Sequence, residues 1–421
     1  MGKRSTAAAL ALLAGLFLTA PDLHAQDPKA PVPGAQDAAL QARRATMQGI
    51  FGALHRAFIV SLDSEQYAAP ANRPAVTTAL EALAANAEQL ETHGQGLSHS
   101  YDFLRESLAS DAREAARRYK AGEYESSRFV LHQVTENCFA CHSRLPATRK
   151  FDLGANFFRE SKLDELPLES QVKLAVATRQ FDRALAICEK IFRSSDLPAT
   201  EIELMGAFED YLKILIRVES DYGRATSALE QFSKRPDVPE YLQKLVEAWL
   251  ESLRVLGREK PPRDSFERAK QLIKKGQLQN RFPADRRGLV YFVTASGLLH
   301  AYISENDDKG AALAEPYYLL GVAESYIGNS FWISETEFFL ETAIRLAPGS
   351  PASKQAYAFL EDFTIREFTG SSGEDLPEDV QATLKTLREI SLGKRAEKTP
   401  EPKPESKPKP EKAPPPAPPG T

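Results

Sequence analysis

The chain has 421 residues, a formal net charge of −5 and only three cysteines. Three cysteines exclude a framework of several disulfide bonds, and no basic patch with interleaved aromatic side chains indicates a nucleic-acid-binding protein. The sequence also lacks G-x-S-x-G, P-loop, H-E-x-x-H and dinucleotide-binding motifs, so these large enzyme classes are not indicated.

Residues 1–25 have the pattern of a secretory signal peptide. Lys3 and Arg4 precede an apolar stretch at residues 7–20, and a cleavage point follows Ala25. The stretch is too short for a membrane span, although an uncleaved anchor is the alternative. No cysteine follows it, so a lipoprotein is not indicated. We expect a mature protein without a transmembrane segment in a bacterial periplasm.

Four amphipathic helices are predicted within residues 36–147, because apolar residues recur there every three or four positions. Pro74 suits a helix start, and Gly122 marks the turn before the last helix. Short connections predict an antiparallel four-helix bundle, a fold that holds cofactors between facing helices. The side chains expected to face inward in the second and third helices are Val76, Leu80, Leu83, Ala87, Leu90, Tyr101, Leu104, Leu108, Ala112, Ala115 and Tyr119.

The fourth predicted helix ends in ENCFACHSRLP, where Cys138, Cys141 and His142 form a C-x-x-C-H motif. A redox disulfide of the thioredoxin type needs a strand before the helix, and no strand pattern precedes Cys138. A structural zinc site needs four ligands, and no second cluster of ligands occurs. Covalent attachment of one haem c remains, because cysteines three apart reach two vinyl groups and His142 then supplies the proximal iron ligand.

Residues 36–146 resemble the cytochrome c′ group of four-helix haem proteins. The final-helix sequence YKAGEYESSRFVLHQVTENCFACH matches the family pattern, and Arg43 and Met47 in ARRATM match an arginine four residues before the distal residue. The resemblance implies that Met47 lies over the distal face of the haem and that Arg43 contacts a propionate. Many members of this family dimerise through the bundle, so the resemblance also makes a homodimer possible. The family's basic residue four positions after the ligand histidine is replaced by Pro146.

Met47 has two possible roles, and each gives the haem iron a different coordination number. If Met47 binds the iron, the His/Met pair raises the reduction potential and suits electron transfer. If Met47 only fills the core, the iron is five-coordinate and open to small gases. The other histidines of this region, His55, His93, His99 and His132, do not fall on the expected distal turn.

Beyond the bundle, residues 148–168 mix glycine, proline and charge and are predicted to be a linker. Residues 169–368 are predicted to be consecutive helices without strand alternation. Within them, Tyr317, Leu320, Gly321, Ala343 and Pro348 resemble the tetratricopeptide pattern of paired helices with an extended turn. Residues 173–192, 219–232 and 264–275 show weaker similarity to a repeated helix-pair pattern. We expect a helical-repeat solenoid, with a plain helical bundle as the alternative.

A solenoid of helix pairs presents a concave face that binds proteins or peptides. Seven aromatic residues could either line this concave face or fill the core between the helices. They are Tyr317, Tyr318, Tyr326, Phe331, Trp332, Phe338 and Phe339. Cys188 is surrounded by aliphatic residues and is expected to be a buried thiol. Residues 369–393 are predicted to be a terminal helical segment, and residues 394–421, rich in proline, lysine and glutamate, a disordered tail.

The sequence therefore predicts an all-α protein that binds haem c in an N-terminal bundle and a protein partner through its repeats. Three functions are compatible with it: an electron-transfer cytochrome, a haem-based gas sensor or scaffold, and a haem enzyme such as a peroxidase. The enzyme ranks last because a second C-x-x-C-H motif and a distal His/Arg pair are missing. We expect an electron carrier or haem-binding protein rather than an enzyme.

Overall fold

The computed structural model describes residues 33–93, 101–144, 163, 166–260, 262–282, 285–328, 335–370 and 373–394. In these residues the chain is helical apart from one pair of two-residue strands, so the prediction of an all-α fold is confirmed for them. The predicted signal peptide, most of the predicted linker and the tail beyond residue 394 lie outside the described residues.

Five helices form the N-terminal part: α1 (Pro33–Ser61), α2 (Ser64–Ala68), α3 (Arg73–His93), α4 (Asp102–Lys120) and α5 (Tyr124–His142). The four long helices pack against their neighbours in sequence, and α1 also contacts α5, which closes the bundle. The short α2 was not predicted. Its N-cap is Asp63, whose carboxylate accepts hydrogen bonds from the backbone N–H groups of Glu65 and Gln66.

The bundle core consists of the residues that the helical periodicity predicts. All eleven inward-facing residues expected in the second and third helices are buried. Tyr67 of α2 adds a polar link to this core. Its hydroxyl lies 3.0 Å from Ser127 Oγ, and the Tyr119 hydroxyl donates to the Tyr67 carbonyl at 2.7 Å. These bonds satisfy polar groups that would otherwise be costly to bury.

From residue 166 onward, the described residues contain twelve further α-helices: α6 (Leu168–Ala177), α7 (Phe181–Arg193), α8 (Ala199–Leu204), α9 (Ala207–Lys213), α10 (Tyr222–Phe232), α11 (Glu240–Leu256), α12 (Ser265–Gln279), α13 (Leu289–Glu305), α14 (Ala314–Ile327), α15 (Glu335–Leu346), α16 (Pro351–Glu367) and α17 (Glu378–Ser391). The strands β1 (Thr369–Gly370) and β2 (Gly373–Glu374) pair antiparallel between α16 and α17. A 3₁₀ segment (Asp307–Leu313) precedes α14.

Two local backbone features shape this second part. The stretch 173–192 is split between α6 and α7 by a turn in which Arg179 has a φ of 57°, a conformation uncommon for residues other than glycine. The second feature is a π-helix, Ile214–Glu219, which continues α9 and buries Ile214, Leu215, Ile216, Arg217 and Val218. Such wide turns are rare and mostly short.

The helix pair α14–α15 contains the residues that resemble the tetratricopeptide pattern. Tyr317, Leu320, Gly321 and Ala343 are all buried. Phe339 is buried as well, so Tyr317 and Phe339 fill the core rather than line a concave face, whereas Phe331 and Trp332 lie outside the described residues. Cys188 is also fully buried, as predicted.

No helix in the described ranges combines the length and the apolar character that a membrane crossing requires.

Gly321 allows α14 and α15 to approach closely. A Cβ atom at this position would lie 2.7 Å from Leu340 Cγ and 3.3 Å from the Thr336 carbonyl oxygen. We expect Gly321→Ala to lower the free energy of unfolding by about 2 kcal/mol, because overpacking forces the helices apart. Urea denaturation followed by circular dichroism measures the change.

Gly52 of α1 provides the matched control. A Cβ atom there meets only Arg56 Nη1, at 3.5 Å, so Gly52→Ala is expected to leave stability unchanged or raise it by up to about 1 kcal/mol. Equal losses in both variants would contradict the assigned role of the contact between Gly321 and Leu340.

Candidate functional site

The C-x-x-C-H motif forms the last turn of α5, which ends at His142. Cys138 and Cys141 are half-buried and are not joined in a disulfide. Their spacing places both thiols about one helical turn apart. The structure therefore presents two free thiols and an imidazole at one helix terminus.

Burial controls the ionisation of both thiols. Burial, with a smaller contribution from Cys141, raises the pKa of the Cys138 thiol to about 12, and burial also raises the pKa of Cys141. Reactive cysteines of redox enzymes have lowered pKa values, often because they lie at a helix N-terminus. Here the pair lies at a helix C-terminus and stays protonated at neutral pH, which is unlike a redox-active dithiol.

His142 is oriented by the neighbouring helix α6. Its Nδ1 lies 3.2 Å from the carbonyl oxygen of Val176. Because a carbonyl only accepts hydrogen bonds, Nδ1 carries the ring proton in this contact and Nε2 holds the lone pair. Metal-binding histidines are commonly fixed in this way by a hydrogen bond from the other ring nitrogen.

The imidazole of His142 is also kept neutral. Burial and then the positive charge of Arg179 lower its pKa to about 4, although the carbonyls of Val176 and Ala177 oppose this. A neutral imidazole is the form that binds a metal ion. The unusual turn at Arg179 thus brings both a carbonyl acceptor and a cation to the motif.

The two candidate residues of the distal side, Arg43 and Met47, lie one helical turn apart on α1, and both are half-buried. Met47 packs against the hydrophobic core. α1 is a neighbour of α5 in the bundle, so the residues that the sequence singled out belong to two adjacent helices.

Arg144, two residues after His142, anchors the motif to the second part of the chain. Its side chain is only 1% exposed and forms an ion pair with Glu335 at the start of α15. The guanidinium carbon also lies 4.9 Å from the ring centroid of Tyr101 and 5.4 Å from that of Phe339. Both distances fall within the range of cation–π contacts.

A buried polar cluster lies inside the second part, and the sequence analysis missed it. Arg217 of the π-helix donates to Glu324 of α14 at 2.9 Å, and Ser296 also bonds to Glu324. His300 Nε2 lies 3.5 Å from the same carboxylate. Burial raises the pKa of Glu324, but Arg217 and His300 outweigh burial and hold it below its usual range.

The signal for this cluster was present in the sequence. Arg217, His300 and Glu324 each lie in a mostly apolar helical segment, namely ILIRV, VTASGLLHAYI and LLGVAESYI. An ionisable residue in such a segment is buried only when it is paired. The partners could not be assigned because they are far apart in sequence.

A cleft of about 1070 Å³ lies between α5 and the second part of the chain. One wall is the α5 face that carries Phe129, Glu136 and Phe139, and the opposite walls come from α6, α8, α9 and α14. Cys138, Cys141 and His142 do not belong to the residues that line it. The cleft and the motif therefore use different faces of the same helix.

Two ionisable groups that line the cleft, Lys173 and Asp210, have shifted pKa values. Lys173 of α6 bonds to Glu136 of α5 and to Glu169, the latter at 2.9 Å, and these contacts raise its pKa although burial opposes them. Burial raises the pKa of Asp210 to about 7, against the effect of Lys213 and Lys173. The cleft thus holds closely spaced charges of both signs.

Among the described residues, no three His, Cys, Asp or Glu side chains converge as metal ligands do. Comparison of the chain with family models, curated proteins and solved structures gives no match.

Removal of one partner of the buried Arg144–Glu335 pair is expected to destabilise the protein strongly. Glu335→Gln leaves the buried guanidinium charge without its counter-ion and should lower the free energy of unfolding by about 3 kcal/mol. Chemical denaturation of the full-length protein measures this change.

The control is the exposed pair of Glu341 and Arg345 on α15, whose side chains are 3.1 Å apart. Glu341→Gln should change stability by less than about 1 kcal/mol, because solvent screens exposed pairs. A loss in Glu335→Gln no larger than that in Glu341→Gln would contradict the assigned role of the buried pair.

Proposed function

We propose that this protein is an exported monohaem c-type cytochrome that transfers electrons in the periplasm. In this proposal Cys138 and Cys141 hold the porphyrin through thioether bonds, and His142 is the proximal ligand of the iron. The single observation that supports it best is the contact of His142 Nδ1 with the Val176 carbonyl, because it presents Nε2 as a ligand.

The donor set is compatible with haem c in two further respects. Cys138 and Cys141 are not joined in a disulfide, so both sulfur atoms are available for thioether bonds. The imidazole is neutral. Haem iron, when bound, supplies a one-electron couple whose potential depends on the axial ligands and on hydrogen bonds to them.

The chain's own residues have defined tasks in this proposal. Val176 fixes the tautomer and the orientation of His142, and the charge of Arg179 opposes protonation of the ring. Met47 serves as the distal ligand, with Arg43 at a propionate. The helices beyond residue 168 dock the protein to a redox partner, as the predicted repeats suggest. The signal-like residues 1–25 direct the chain to the periplasm, where c-type haem is attached.

The cysteines provide the direct test of haem attachment. Full-length protein expressed with its export segment and the c-type maturation machinery should give the pyridine haemochrome spectrum of thioether-bonded haem. We expect Cys138→Ala together with Cys141→Ala to abolish covalent haem, because both thioether bonds are lost. Intact-mass measurement and haem-stained gels detect the difference.

Cys188→Ala is the matched control, because Cys188 is buried in the core of the second part and should not affect haem content. If the measured mass of the mature wild-type protein equals that of the polypeptide alone, without a haem, the proposed function is wrong.

Met47 decides between electron transfer and gas binding. We expect Met47→Leu to convert a low-spin ferrous spectrum into a high-spin one that binds carbon monoxide, because the sixth ligand is removed. Met205→Leu should leave the spectrum unchanged, since Met205 lines the cleft and not the bundle core. A wild-type ferrous protein that is already high-spin and binds carbon monoxide at neutral pH would instead favour the gas-binding function.

A further inference from the structure

The turn between α6 and α7 has an arginine at a position that glycine usually occupies. α6 ends at Ala177, and Arg179 follows with a φ of 57°. The Arg179 N–H group donates to the Val176 carbonyl at 2.9 Å. The Gln180 N–H group donates to the Ala175 carbonyl at 2.7 Å. These two bonds form a Schellman motif, in which glycine is the usual residue with positive φ because a Cβ atom strains this conformation.

The same turn holds the acceptor of His142. The Val176 carbonyl accepts from the Arg179 N–H group and also from His142 Nδ1, the latter at 3.2 Å. A carbonyl oxygen has two lone pairs and can accept both bonds. A glycine at position 179 would form the same backbone bond without strain, so the backbone geometry does not account for the arginine.

The side chain of Arg179 lies close enough to the C-x-x-C-H motif to act on two of its members. Burial has the largest effect on the pKa of both groups, raising that of Cys141 and lowering that of His142, and the positive charge of Arg179 lowers both. Arg179 is itself half-buried, and its Nε atom is buried. The guanidinium group therefore lies beside the motif and is only partly screened by solvent.

Arg179 supplies the uncompensated charge in this region. Two other arginines act on the same thiol, but Arg144 pairs with Glu335 and Arg105 pairs with Asp102. Within the part of the chain that the structure describes, no carboxylate pairs with Arg179, and its Nε atom has no hydrogen-bond partner. Residues held in strained backbone conformations cluster at functional sites. A strained, half-buried and unpaired cation beside the motif thus indicates a function for the side chain.

We propose that Arg179 is a positioning residue of the haem site, whose strained turn holds a fixed positive charge beside His142 and thereby raises the reduction potential of the bound iron. The ferric site carries one more positive charge than the ferrous site, so a nearby cation destabilises the ferric state more. Partial burial keeps this interaction from being fully screened by salt. The inference rests on the proposed cytochrome function and adds a residue from outside the N-terminal bundle to its haem site.

The reduction potential of full-length, haem-loaded variants tests the role of the charge. Arg179→Gln removes the charge but keeps the Cβ atom, Arg179→Lys keeps the charge, and Arg179→Gly removes both the charge and the strain. In a spectroelectrochemical titration, we expect a shift to lower potential in Arg179→Gln and in Arg179→Gly, and a value close to that of the wild type in Arg179→Lys. An unchanged potential in Arg179→Gln, or an equal shift in Arg179→Lys, overturns the proposal.

Arg193→Gln is the matched control, because it removes one positive charge from the last turn of α7. The Arg193 side chain is 58% exposed, so solvent and salt screen its charge, and we expect a much smaller shift of the potential. A shift as large as that of Arg179→Gln would show that the total charge of the protein, and not the position of Arg179, sets the potential. That result overturns the proposal.

Urea denaturation of the same variants tests the strain. Arg179→Gly should unfold at a higher urea concentration than Arg179→Gln, because glycine adopts a positive φ freely and glutamine does not. A midpoint for Arg179→Gly no higher than that for Arg179→Gln overturns the assignment of a strained turn. A purely structural role for Arg179 predicts losses of stability without any change of potential.

The haem content of the same preparations separates this proposal from the proposed function. Wild-type protein without covalent haem refutes the cytochrome and, with it, the role of Arg179. Covalent haem whose potential is unchanged in Arg179→Gln refutes the role of Arg179 alone.

Discussion

The contact between His142 and the Val176 carbonyl joins the ends of two helices from different parts of the chain. α5 contributes the imidazole, and α6 contributes a carbonyl from its last turn. Carbonyls in the last turn of a helix have no full set of intrahelical partners, so they are available to such donors. The orientation of the motif thus depends on how the second part packs against the bundle. We infer that the properties of a bound iron would depend on this packing too.

Buried charges reinforce the same junction. Arg144 leaves the end of α5 and pairs with Glu335, while Arg217 pairs with Glu324 inside the second part. Burying each charge costs several kcal/mol, roughly offset by its partner. Such pairs add little net stability, but they penalise every arrangement in which the partners are separated. They therefore favour one relative position of α5, α14 and α15 over the alternatives.

The long amphipathic helices of the bundle could be predicted from the sequence, but the contacts between residues far apart in the chain could not. Periodicity identified the buried face of α3 and α4 because one amphipathic stripe repeats over several turns. The C-x-x-C-H spacing located the candidate site because its chemistry is local. The acceptor for His142, the Val176 carbonyl, was missed, since the two residues are 34 positions apart and the chain between them carries no signal of their proximity. The break at Arg179 was also missed, because nothing in the local sequence marks a left-handed turn without glycine or asparagine.

The π-helix at Ile214–Glu219 changes the direction in which the side chains of this segment point. A helical turn that contains one extra residue rotates everything after it by about 100° relative to a regular helix. Five successive residues, Ile214 to Val218, are buried there. Loss of one residue from this segment would restore the ordinary pitch and turn the Arg217 side chain away from Glu324. Length variation at this point is therefore constrained by electrostatics rather than by loop geometry, unlike an insertion in a surface turn.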